Sequence, residues 1–217
     1  MRVKEIQADD SDAHQLSEQR IELEPGEFYE REWENLDDFQ SVAAIIENLE
    51  GLPEIEFQGP SGEWSARKGV RLYAGRLTKN IRKVAVRIKA VTATTVRVTV
   101  AFLKKEARDG LRRVSCKGCK ALIRFAINVL LTSIGVPPIS IELPFAEHLD
   151  IAGYIKHLGA IVHSAGSILP EGVSAFFGGI NPAFWTGLQG VLDSVDFVTG
   201  HIDRGLEAGC RVVGCCK

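Results

Sequence analysis

The side chains best suited to chemistry in this chain are its cysteines. Ser115-Cys116-Lys117-Gly118-Cys119-Lys120 is a Cys-x-x-Cys in which a lysine follows each thiol, and Cys210, Cys215 and Cys216 form a second cluster. Two such clusters can supply four thiolates to a tetrahedral zinc ion, and neighbouring cations favour the thiolate form. Cys116, Cys119, Cys210 and Cys215 are the ligand set this suggests, and structural zinc is the one cofactor implied. The second cluster is Cys-x4-Cys-Cys and not a second knuckle. A disulfide between the segments, unlinked thiols, and acylation of Cys215 or Cys216 therefore stay open beside zinc.

The other candidate groups fit no catalytic pattern. His148, His157, His163 and His201 stand near Glu147, Asp150, Asp193, Asp196 and Asp203. A metal-dependent hydrolase would need two ligands at i and i+4, and His157 and His163 are six apart. They read as solvated or hydrogen-bonded histidines. Gly172, Gly178-Gly179, Gly187 and Gly190 lack the spacing of a dinucleotide loop, and no serine occupies a nucleophile elbow. No catalytic residue is assigned, and the chain reads as a non-enzyme.

Charge is the stronger signal. Residues 67–124 hold eighteen Lys and Arg against Glu106 and Asp109, a formal +16, while residues 1–63 carry a formal −14 and the whole chain −2. Arg71, Arg82, Lys83, Arg87, Lys89, Arg97, Arg112 and Arg113 are the candidate anion-binding cations. They would suit phosphates of nucleic acid or of an anionic membrane. Only Tyr73 is placed to stack on a base, which argues against single-stranded nucleic acid. The competing reading pairs these cations with the chain's own acidic third, since an unneutralised +16 stretch would repel itself.

The positioning elements follow from periodicity. Val3 and Ile6, then Arg20–Glu24, read as either edge strands or part of an acidic tail, with a turn at Pro25-Gly26. Trp33, Leu36, Phe39, Val42, Ile46 and Leu49 recur at helical spacing and predict a helix over 35–50, with Asn35 as its cap and Gly51 beyond its end. Short strands follow at 55–58, 64–66 and 70–75. Val84, Val86 and Ile88 pair by pattern with Val96, Val98, Val100 and Phe102 as a hairpin across a turn near Thr92–Thr95. Helical patterns then occupy about 112–134, 145–163 and, from Asn181-Pro182, about 184–202.

The fold class this predicts is α+β: a small antiparallel sheet with a packed helix, followed by a Gly-rich all-helical C-terminal part. Its divisions are an acidic segment (1–32), an α+β module with a basic sheet (33–135), and an apolar helical module with a Cys-rich end (136–217). The run Ala175–Trp185 mixes aromatics with glycine, and Phe176, Phe177, Phe184 and Trp185 are its candidate membrane or partner contacts.

Together these predict a non-enzymatic protein that engages a membrane or a partner. The acidic segment would mask the basic sheet, and the helical half would insert or oligomerise. The alternative is a nucleic-acid-binding or scaffold protein using the same cations, with the helical half forming a homo-oligomer. Met1 is followed by charged residues and not by the apolar core of a signal peptide. That predicts a cytoplasmic chain, peripherally attached to membrane where lipid is the partner.

Overall fold

The computed structural model describes residues 1–58, 64–66, 72–77, 83–105, 114–133, 135, 170–177, 186 and 202–216. Among the described residues nine strands form two antiparallel sheets. They are β1 (Arg2–Asp10), β2 (His14–Leu23), β3 (Phe28–Glu34), β4 (Phe39–Glu50), β5 (Pro53–Gln58), β6 (Trp64–Ala66), β7 (Leu72–Arg76), β8 (Lys83–Ala90) and β9 (Thr94–Lys104). The five-stranded sheet runs β1-β2-β9-β4-β7 and the four-stranded sheet runs β3-β8-β5-β6. Three helices follow: α1 (Cys116–Ser133), α2 (Glu171–Phe177) and α3 (Ile202–Val213).

The five-stranded sheet is covered on both faces. Ile21, Val42, Ala44, Ile46, Val98, Val100 and Phe102 face the four-stranded sheet and meet Ile55, Phe57, Val84, Val86 and Ile88. Leu16, Ala43, Ile45, Ala101 and Leu103 point the other way, into a second core built with α1, α2 and α3. The molecule is thus layered sheet, sheet, helix.

This corrects the predicted α+β fold. The described structure is predominantly sheet, and it does not divide into a small sheet module and a separate all-helical C-terminal part. Val173, Phe176, Phe177, Leu206 and Cys210 share one core with α1 and the five-stranded sheet. Ser41 Oγ donates to the Phe176 carbonyl at 3.2 Å, and Gly172 lies so close to the Ala74 carbonyl that a β-carbon there would collide with it. The predicted helix over 35–50 is strand β4, preceded by a single 3-10 turn at Leu36–Asp38. Asn35 is left-handed, with φ 57°, and caps nothing with its side chain. The reason is burial on both faces: Ser41 to Ile46 are all buried, so the apolar run is continuous and periodicity alone cannot separate strand from helix.

The predicted β8–β9 hairpin is also corrected. β8 pairs with β3 and β5, whereas β9 pairs with β2 and β4. The two strands pack against each other across the sandwich, a relation that gives the same alternating pattern as a hairpin. The acidic N-terminal residues are integral strands: β1 is an edge, β2 lies beside β9, and β3 edges the other sheet. Within the helical pattern expected over 112–134, helix α1 begins at Cys116, because Ser115 caps it, accepting from the Gly118 amide at 3.0 Å. The predicted helix over 145–163, the Asn181-Pro182 cap and the module boundary near 136 lie outside the described residues.

Candidate functional site

The densest polar geometry lies where β1 turns into β2. The Ser11 hydroxyl accepts from the amides of Ala13 (3.3 Å) and His14 (3.2 Å), which fixes a tight turn. It also lies 3.0 Å from His14 Nδ1. On the other side of the ring, Nε2 is 2.8 Å from Asp9 Oδ2, and the His14 side chain has no solvent exposure. Burial pulls the imidazole below its ordinary pKa of 6.5, and the opposing pull of Asp9 is the weaker effect. Next to it, Lys104 Nζ lies 2.6 Å from Asp10 Oδ1. Helix α1 seats against this corner through Gly118, where a β-carbon would come within 2.5 Å of Asp9 Oδ2.

Ser11, His14 and Asp9 resemble a nucleophile, base and carboxylate in order. The turn amides already occupy Ser11 Oγ, and His14 is sealed from solvent, so the arrangement fixes the shape of the corner. Above it opens a cleft of about 330 Å³ between the two sheets. Trp33, Phe102 and Val100 form its apolar wall, Arg31, Gln15 and Ser17 its polar wall, and Glu5 and the Lys104-paired Asp10 lie at its rim. Strand pairing places Trp33 and Arg31 on β3, two residues apart and therefore on one face. The Trp33 ring lies 5.8 Å from that of Phe102, and the Arg31 guanidinium stands 5.1 Å over Trp33 while donating weakly to Ser17 Oγ at 3.4 Å. A concave site of this size, apolar on one wall with a few convergent polar groups, can hold a small organic molecule. Asp10 is already paired with Lys104 and Asp9 Oδ2 is turned to His14 under α1, which leaves Glu5 as the rim carboxylate facing the Arg31 guanidinium.

A second polar feature lies under α1. Arg97 is buried, with Nη1 2.8 Å from Glu47 Oε2 and Nε 3.4 Å from Glu18 Oε1. The adjoining cavity, of about 30 Å³, also touches Arg124 and Asn128. That volume suits water and not an organic ligand.

The cations expected to bind anions are spread differently from the expectation. Lys83 pairs with Glu32 at 2.5 Å, Arg87 with Glu30 at 2.8 Å and Glu56 at 3.6 Å, and Lys89 with Glu54 at 4.0 Å. Glutamates from β3 and β5 therefore flank the β8 cations on both sides, and Arg97 faces the helices. Arg71, Arg82, Arg112 and Arg113 lie outside the described residues.

Of the expected membrane or partner contacts, Phe176 (0% exposed) and Phe177 (2%) are core residues, and Phe184 and Trp185 lie outside the described residues. The four expected zinc ligands do converge, but Cys116 is bonded to Cys216 and Cys119 to Cys210, and Cys215 belongs to neither bridge. A sulfur in a disulfide is not a thiolate donor. Among the described residues no group of three or more His, Cys, Asp or Glu is arranged to hold a metal ion. His148, His157, His163 and His201 lie outside the described residues.

Sequence reading passed over His14. Its signal was the run Asp9-Asp10-Ser11-Asp12-Ala13-His14, an acid- and hydroxyl-rich turn closing on an imidazole. The sequence pattern puts Trp33 on a helix and Phe102 on a strand, so no local pattern joins them.

No family model and no curated protein matches the chain. Among solved structures, it is similar to oxalate oxidase at 13% identity over 41% of this chain and 42% of that one, with a TM-score of 0.27. It is similar to the Cupin_2 domain of an XRE family transcriptional regulator from Enterobacter cloacae at 14% identity, covering 46% of this chain and 93% of that one, TM-score 0.27. A third is the capsular polysaccharide assembling protein CapF from Staphylococcus aureus, at 12% identity over 45% of this chain and 28% of that one, TM-score 0.24. These likenesses are too slight to bear on what the chain binds or does.

Proposed function

We propose that this is a non-enzymatic binding protein whose inter-sheet cleft takes a small organic cation. The observation that carries this is the aromatic wall, Trp33 and Phe102, with the Glu5 carboxylate at its rim. An ammonium group gains from the Glu5 carboxylate, while an attached apolar body covers Phe102 and Val100. Arg31 completes the pocket by holding the indole in place. Equilibrium dialysis with phenethylamine and with phenylacetate, matched in size and opposite in charge, tests it. Retention of the amine, lost in Trp33→Ala, supports the reading, and equal retention of both or neither removes it.

Engagement of a protein partner is a second reading, supported by the opposite end of the sandwich. There the β2–β3, β4–β5 and β8–β9 turns meet: Ala90 accepts from the Gly26 amide at 2.9 Å, and the Val91 amide donates to the Leu52 carbonyl at 3.0 Å. Phe28 (61% exposed), Leu52 (62%) and Val91 (52%) project from this tip, with Glu24 and Glu50 nearby in sequence and Glu54 paired to Lys89. An acidic rim suits a basic, apolar protein surface and opposes anionic lipid. Binding of a leucine-lysine amphipathic peptide, abolished by Leu52→Ser with Val91→Ser, tests this reading, and unchanged binding counts against it.

The two bridges suit an oxidising compartment, which departs from the cytoplasmic expectation. Among the described residues no helix is long and apolar enough to cross a membrane.

A further inference from the structure

All five cysteines of the chain gather where the first turn of α1 meets the last turn of α3. The two bridges there are unlike. Cys119 (1% exposed) and Cys210 (0%) are sealed in the core. Cys116 and Cys216 are partly exposed, and the half-buried Cys215 thiol sits one residue before Cys216. Access differs, and access is one determinant of exchange rate.

The position of Cys116 adds a second. It is the first residue of α1, with Ser115 as the cap. The free amides of the first turn and the Lys117 and Lys120 side chains all favour a negative sulfur there. Lys120 also contacts Glu207 at 3.5 Å, so Lys117, which is exposed, is the cation with less competition. A better-stabilised thiolate is a better leaving group.

We propose that the outer bridge, Cys116–Cys216, is a thiol-exchange site for small dithiols, while Cys119–Cys210 is a fixed structural tie. A thiolate of the dithiol attacks Cys216 Sγ. The sulfur–sulfur bond breaks, and Cys116 leaves as a thiolate held by the helix terminus. The second thiol of the dithiol then attacks its own bonded sulfur, closing a cyclic disulfide and expelling Cys216. The dithiol is oxidised by two electrons, and the bridge is reduced to two thiols, which take up the two protons. The inner bridge keeps α3 docked throughout.

The experiment uses the full chain under native conditions. It is exposed to graded dithiothreitol, quenched with N-ethylmaleimide and mapped by peptide mass spectrometry. Cys116 and Cys216 become labelled at least about tenfold faster than Cys119 and Cys210, as expected for partly exposed against sealed sulfurs. Lys117→Gln, a change at an exposed side chain, slows labelling of Cys116 roughly two- to threefold without lowering Tm. Three results would overturn the proposal: both bridges opening together, the inner opening first, or Cys116 labelled with no reductant present. An unchanged rate in Lys117→Gln would overturn the assigned role of the helix terminus.

Discussion

Asp9 Oδ2 lies 2.8 Å from His14 Nε2, and the histidine side chain of this pair has no exposure to solvent. The contact joins the penultimate residue of the edge strand β1 to the first residue of β2, beside Gly118 of α1. Burial is the largest influence on the imidazole and lowers its pKa, and the nearby Lys104 acts in the same direction. Asp9 and Asp10 oppose this. The unfolded chain therefore takes up a proton at His14 more readily than the folded one. Stability from this site is complete above the unfolded value of about 6.5 and declines as pH falls from there toward the lower folded pKa. Urea unfolding between pH 8 and 5 should show this decline, and His14→Asn should flatten it. A wild-type midpoint that rises on acidification through this window would contradict the assignment.

Arg97 is held under α1 by Glu47 and Glu18. Removing one member of a buried ionic group strands the others, typically costing about 3–5 kcal/mol. Arg97→Ala should lose roughly that much in chemical denaturation. Replacing Glu18, Glu47 and Arg97 together with leucine or methionine should lose far less. Equal losses would mean that packing, and not stranded charge, sets the effect.

Phe176 contacts Phe125 and Phe177 edge-on, with ring centroids 6.0 and 5.2 Å apart. Phe176→Ala should destabilise the protein by about 3–5 kcal/mol, as for other buried aromatics. Phe28→Ser, at the exposed tip, should stay within about 0.5 kcal/mol of wild type. A Phe176 variant as stable as wild type would return this residue to the surface role the sequence suggested.

Gly118 couples the helix layer to the cleft, because its missing β-carbon leaves room for Asp9. Gly118→Ala should displace Asp9, raise exchange of the His14 amide and weaken amine binding together. Loss of stability with amine binding intact would separate the helix contact from the site.

Strands β5, β8 and β9 were visible as strand periodicity, and α1 as a helical pattern over about 112–134. What the pattern could not carry was the partner of each strand. Val84–Ile88 and Val96–Phe102 show the same alternation whether they share a sheet or face each other across a core. Val42 to Ile46 lost their alternation because both faces are buried, and the helical spacing read through them was a by-product of a continuous apolar run. The charge segregation was read correctly as a pattern, but its consequence is local: Glu30 and Glu32 on β3 lie beside Arg87 and Lys83 on β8. The cleft was not legible because Trp33, Phe102 and Glu5 are far apart in sequence and meet only after both sheets form.

The most direct test of the central claim is a titration of isotope-labelled protein with phenethylamine, followed through the Trp33 indole and the Gln15 and Arg31 side-chain signals. The account predicts saturable shifts confined to these groups and the neighbouring strands, absent with phenylacetate and lost in Trp33→Ala. Shifts centred elsewhere, or none at concentrations where dialysis shows retention, would contradict it.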